Sequence, residues 1–203
     1  MRLLVATTNR GKLGEIFPLL AGLPIDIQTL ADYPPIAPPD ETGITFAENA
    51  VQKARFYANL AGSLTVAEDS GLEIDALGGA PGVHSARFGG EATYPQKFAL
   101  IEEQLRQVPG ADRTARFVCA LAVADGERIV YEARGTVEGY IVPEPRGTGG
   151  FGYDPIFYYP PFGSTLAEAG ERKSSVSHRG QAFRQLRVFL ERRLQQSVPG
   201  FRD

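Results

Sequence analysis

The run TARFVCALAVADGERIVYEARGTVEGYIV, residues 114–142, constrains the fold most. It is apolar, rich in β-branched and aromatic residues, and broken near its middle by Asp125-Gly126. Asp-Gly suits the positive φ of a tight turn, so the run predicts two long antiparallel strands in a hairpin. The rest of the chain alternates short apolar runs with helical periodicity. Residues 2–6 and LTVAED, residues 64–69, read as buried strands. Helices are expected over residues 13–20 (weakened or kinked by Pro18), in TFAENAVQKARFYANLAG, over 96–107 ahead of Pro109, and in the C-terminal GQAFRQLRVFLERRL. Thr45 and Glu48 have capping-box spacing on the second of these, and Gly62 can end it. Residues 33–39 are Pro-rich and must be loop. Parallel strands need crossover helices whereas the hairpin is antiparallel. The expected class is therefore α/β with a mixed sheet flanked by helices, in one domain over residues 1–203, with no repeat or linker.

Bulk properties exclude several classes of function. At 43% apolar and 22% charged, the 203 residues can bury one sizeable core and are not a disordered chain. A net charge of -3 is poor for gripping nucleic acid, so no nucleic-acid partner is expected, although a few local cations could still hold a small anion. The single cysteine, Cys119, allows no intrachain disulfide and reads as a small buried hydrophobe. The apolar part of MRLLVATTN is too short for a signal peptide, and no run approaches the roughly 20 residues of a membrane helix. The expectation is a cytoplasmic protein with no membrane partner.

Four motifs carry candidate chemistry. TTNRGK, with Thr7, Thr8, Asn9, Arg10, Gly11 and Lys12, joins a strand to a helix. Hydroxyls, an amide, a glycine and a lysine at a helix N-terminus can cradle phosphate, although the segment lacks the first glycine and the Ser/Thr of a Walker A loop. A plain capping turn remains an alternative. Glu41, Glu68 and Asp69 form an acidic set, the last two read at a strand end, where carboxylates can hold a Mg²⁺ that also touches phosphate. The alternative is a solvated strand end with a turn at Asp-Ser-Gly. GTGGFGYDP offers close backbone approach and two flat faces, Phe151 and Tyr153, beside Gly152 and Asp154, or else a tight loop with core aromatics. KSSVSHRG brings Lys173, His178 and Arg179 together. Arg and Lys only donate hydrogen bonds, which suits phosphate or a base carbonyl and disfavours an exocyclic amine. His178 alone could be a surface or helix-capping histidine. His84 has no metal-ligand partner at useful spacing and reads as structural.

No motif decides alone, but together they describe a Mg-dependent nucleotide site. At these residues the sequence resembles the inosine triphosphate pyrophosphatase family, the house-cleaning dITP/XTP pyrophosphatases. TTNRGK, ETGITFAENAVQKA, AEDSGLEIDALGGAPGVHSARF, GTGGFGYDPIF and KSSVSHRGQA occur in family order across residues 7–182. The resemblance implies an elongated mixed sheet in two lobes with a central substrate cleft, a homodimer, and Mg²⁺-dependent cleavage of ITP, dITP or XTP to monophosphate and pyrophosphate. It further implies phosphate binding by residues 7–12. Asp69 would be general base and metal ligand, and Glu41 a second metal ligand. Ser70, Phe151, Gly152, Tyr153, Asp154, Lys173, His178 and Arg179 would contact substrate, with Lys53 a further phosphate contact. His84 stands where the family usually has tyrosine, and Glu68 replaces a frequent aspartate. With Arg179 near the base, its donors would favour the 6-carbonyl of inosine and xanthosine over adenosine's amine. Glu68, expected on the other strand face from Asp69, would support the site indirectly. Competing readings are a hydrolase of other nucleotides and a non-catalytic nucleotide-binding module. The complete carboxylate set speaks against the second.

Overall fold

The structure, a computed structural model, describes residues 1–196. Its strands are β1 (Arg2–Val5), β2 (Asp26–Thr29), β3 (Leu64–Ile74), β4 (Thr114–Asp125), β5 (Arg128–Ile141), β6 (Phe157–Tyr159) and β7 (Ser164–Thr165). Its helices are α1 (Arg10–Leu20), α2 (Phe46–Ala61), α3 (Tyr94–Arg106), α4 (Lys173–Val176) and α5 (His178–Gln196). The strands form one mixed seven-stranded sheet in the order β2-β1-β3-β4-β5-β6-β7. β1 runs parallel to β2 and β3, with Leu3 opposite both Ile27 and Leu64, and α1 and α2 supply the crossovers. β5, β6 and β7 pair antiparallel. The expected hairpin turns at Gly126, whose φ of 59° no side-chain-bearing residue adopts cheaply. Among the described residues no helix is long and apolar enough to cross a membrane.

By contacts, the expected single domain groups into two compact units. One comprises Met1–Asp69, Cys119–Gly135 and the described residues from Arg179 on; the other comprises Ser70–Val118 and Thr136–His178. The core of the first follows strand alternation strictly. Leu3, Val5, Val66, Cys119, Leu121 and Val123 face Ile16 and Leu20 of α1 and Phe183, Leu186 and Leu190 of α5. Leu4, Ala6, Ala67, Ala122 and Ala124 face Ala50, Ala54, Tyr57 and Ala58 of α2. Alanine on both sides of that second contact lets α2 approach the sheet closely. The other unit packs Phe98, Ile101 and Leu105 of α3 against Leu72, Ile74, Phe117 and Phe157.

Several boundaries depart from expectation. β3 does not stop at Asp69 but runs on to Ile74, because Leu72 and Ile74 continue the buried alternation. The pair Glu68-Asp69 is therefore mid-strand. Gly71 marks a close approach instead of a turn: a Cβ there would lie 2.6 Å from the Gly82 carbonyl oxygen. α1 begins at Arg10 and keeps Pro18 inside it, ending two residues later at Leu20, so the helix forgoes the bond to the Gly14 carbonyl without breaking there.

Candidate active site

Strand parity divides the two adjacent carboxylates. Glu68 shares the face of Val66, against α1 and α5; Asp69 shares the face of Ala67, against α2. Both are buried, at 5% and 6% exposure, so neither is a solvated turn.

On the first face, Lys12 Nζ lies 2.9 Å from Glu68 Oε1, and Arg179 Nε donates to the same oxygen at 3.2 Å. Arg179 Nη1 also meets Glu15 Oε2 at 2.6 Å. Cys119 Sγ lies 3.6 Å from Glu68 Oε2. Burial alone would push the Glu68 carboxyl up, but Arg179 and Lys12 outweigh it and hold it well below the usual carboxylate range. The same burial pushes the Cys119 thiol up, so it is no nucleophile, as the sequence indicates.

On the second face, Lys53 Nζ lies 2.9 Å from Asp69 Oδ1 and 2.7 Å from Glu41 Oε1. Asn49 Nδ2 donates to Asp69 Oδ2 at 3.2 Å. Burial pushes the Asp69 carboxyl up more than Lys53 and Asn49 pull it down, and Glu41 adds to the rise. Two neighbouring carboxylates are thus driven in opposite directions: one is a permanent anion, the other a proton acceptor with a raised affinity. That separation is a recurrent mark of acid–base sites. α2 builds this face. Thr45 caps it, Glu48 completes the capping box, and Asn49 and Lys53, four residues apart, share one side of the helix.

TTNRGK is a helix entry. Thr7 Oγ1 accepts from the Asn9 amide at 3.2 Å, and Asn9 Oδ1 accepts from the Lys12 amide at 3.1 Å, capping α1. Thr8, Asn9 and Arg10 are exposed, so the positive end of an 11-residue helix opens to solvent beside Lys12.

The remaining candidates lie in the second unit. Asp154, 2% exposed, accepts from the Phe151 amide at 2.8 Å and from Lys173 Nζ at 2.6 Å. Lys173 Nζ also sits 4.8 Å from the centre of the half-buried Phe151 ring. Gly152, with φ of 68°, and Ser70 are half-buried. His178 is buried and stacks on Phe117, with ring centres 4.9 Å apart and 13° between planes.

Two expectations need correction. Tyr153 offers no open stacking face: it is 3% exposed, its hydroxyl donates to the Ser85 carbonyl at 2.8 Å, and its ring is core. Arg179 is not poised with open donors toward a base. Its side chain is 2% exposed and ion-paired to Glu68 and Glu15, because α5 places it on the inner face against β3. Sequence reasoning also overlooked Glu15 and gave Asn49 no role. Glu15, three residues after Lys12 on α1, and Asn49, four before Lys53 on α2, share helix faces with lysines already singled out.

The Ham1 family model matches residues 3–189. The chain is 49% identical to a dITP/XTP pyrophosphatase of Thermus thermophilus, covering 92% of this chain and 90% of that one. It is 46% identical to a dITP/XTP pyrophosphatase of Exiguobacterium sibiricum, covering 94% and 97%. In structure it is similar to a HAM1 protein from Coxiella burnetii, with a TM-score of 0.87 and 40% identity over 95% of this chain and 99% of that one. On fold and sequence alike, the chain belongs to the Ham1 family.

Proposed function

We propose that this protein is a nucleoside triphosphate pyrophosphatase. It hydrolyses non-standard purine nucleotides (ITP, dITP and XTP) to the monophosphate and pyrophosphate; the relatives' name, dITP/XTP pyrophosphatase, supports this for dITP and XTP. The observation that carries this reading is the gathering of Glu41 and Asp69 on the single ammonium of Lys53, with the Asp69 carboxyl raised by burial. A set of two carboxylates and one ammonium keeps a net negative charge. It fits Mg²⁺, which takes one or two protein carboxylates and fills its shell with water and phosphate oxygens. Glu41 and Asp69 would hold the ion, and when bound it supplies positive charge against the triphosphate oxygens.

The protein's own groups do the rest. Asp69 orients a water and takes its proton as the water oxygen bonds to phosphorus; the α–β bridging bond breaks and its electron pair leaves on pyrophosphate. Lys53 and the exposed N-terminus of α1 offset the charge that builds on the phosphates. Glu68, as a permanent anion, holds Lys12 in place. Lys173 and Phe151, as the sequence motifs suggest, would contact the substrate. Removing deaminated purines from the nucleotide pool, and so from DNA and RNA, would be the consequence. A homodimer is part of the same reading.

Pyrophosphate release from ITP, XTP, GTP and ATP, with and without Mg²⁺, tests it. Asp69→Asn should lose turnover by at least about 10²-fold, the scale of a general base, with melting preserved. Near-normal turnover in that variant would sink the assignment, and ATP hydrolysed as fast as ITP would sink the substrate class.

A further inference from the structure

The segment carrying Glu41 has almost no regular structure of its own, yet Glu41 arrives at Lys53. The structure shows how. Successive amides of the segment are taken by side chains of α2: Thr42 by Gln52 at 3.4 Å, Gly43 by Asn49 at 2.8 Å, and Ile44 and Thr45 by Glu48 at 2.7 and 3.2 Å. Most of these bonds are exposed, where water competes, and such bonds hold a loop weakly. Asn49 differs. It is 0% exposed, its Oδ1 accepts from Gly43, and its Nδ2 donates to Asp69 Oδ2. One amide side chain therefore ties the backbone two residues beyond Glu41 to the other carboxylate. With Lys53 on Asp69 Oδ1 and Asn49 on Oδ2, the plane of the Asp69 carboxylate is held at both oxygens. The tie also explains Gly43, where a Cβ would lie 2.7 Å from Asn49 Oδ1 and 2.7 Å from Glu48 Cβ.

We propose that Asn49 is the positioning residue of the cation site: it sets the spacing and orientation of Glu41 and Asp69 so that one divalent ion can engage both. The inference rests on the functional reading above and deepens it. Groups that orient metal ligands typically change affinity by about 10–100-fold when removed. Asn49→Ala should raise both the Mn²⁺ dissociation constant, read from the electron paramagnetic resonance of the free ion, and the half-saturating Mg²⁺ concentration for ITP turnover by that factor. Turnover at saturating Mg²⁺ should fall much less. Gly43→Ala attacks the same tie from the loop side without removing the Asn49–Asp69 bond, and should shift both metal readouts in the same direction, by less. It carries the test if Asn49→Ala does not fold. A merely structural asparagine would lower the melting temperature and leave metal affinity alone. Metal affinity unchanged in a folded variant would overturn this inference only. Metal-independent turnover by the unaltered protein would overturn both it and the reading it rests on.

Discussion

Replacing Glu68 by glutamine isolates the electrostatics of the α1/α5 face. The substitution keeps size and an acceptor oxygen but removes the charge that Lys12 meets at 2.9 Å and Arg179 at 3.2 Å. Both Glu68 and Arg179 side chains are 2% exposed, so solvent cannot take over the pairing. Removing one partner of a buried pair costs about 3–5 kcal/mol, and the retained acceptor and Glu15 argue for the low end, about 3. At about 2–4 °C per kcal/mol for chains of this size, Glu68→Gln should lower the melting temperature at pH 7 by about 6–12 °C. The pH dependence carries the sign. The folded-state carboxyl lies well below its unfolded value because of Arg179 and Lys12. Its stabilisation is therefore complete above the unfolded value of about 4.3 and is lost as pH falls below it toward the lower folded value. Melting followed from pH 7 down to pH 3 should show the difference between the two proteins shrinking on the acid side. A difference under about 2 °C at pH 7, or one that grows as pH falls, would refute the pairing as the source of stability.

Lys53→Met leaves Glu41 and Asp69 facing each other without their shared ammonium; turnover of ITP at fixed Mg²⁺ should drop roughly 100-fold. Turnover within a few-fold of normal would show that the ammonium is dispensable. Tyr153→Phe removes the buried hydroxyl bonded to the Ser85 carbonyl at 2.8 Å. Urea unfolding should report a loss of about 1–2 kcal/mol, with KM and kcat for ITP unchanged. A raised KM without lost stability would mean the hydroxyl meets substrate instead.

Much of this protein is legible from residue order. Asp125-Gly126 announces the hairpin because only a tight turn uses that pair between apolar runs, and Thr45 with Glu48 announces the start of α2 because a capping box is a local device. Local rules were insufficient at three places. Asp69-Ser70-Gly71 allows a turn, but the buried Leu72 and Ile74 carry the strand through it. Tyr153 reads equally as an open face or a core aromatic until the Ser85 carbonyl, 68 residues away, claims its hydroxyl. Arg179 reads as a ready donor until Glu15, 164 residues earlier, pairs with it.

The sequence by itself determined the long strands and helices, the family and the inventory of charged groups, since periodicity, caps and motif spacing are properties of neighbours along the chain; the short β2, β6, β7 and α4 carry too few residues for a periodic signal. Only the tertiary structure decided what each charge meets. Glu68 and Asp69 are adjacent and chemically near-identical, yet a strand turns them to opposite faces. Arg179 and Lys12 overcome the burial of one; the burial of the other outweighs Lys53 and Asn49. The permanent anion and the candidate base differ through partners folding brings from α1, α2 and α5, because burial and Coulomb interactions depend on distance in space and not on position in the chain.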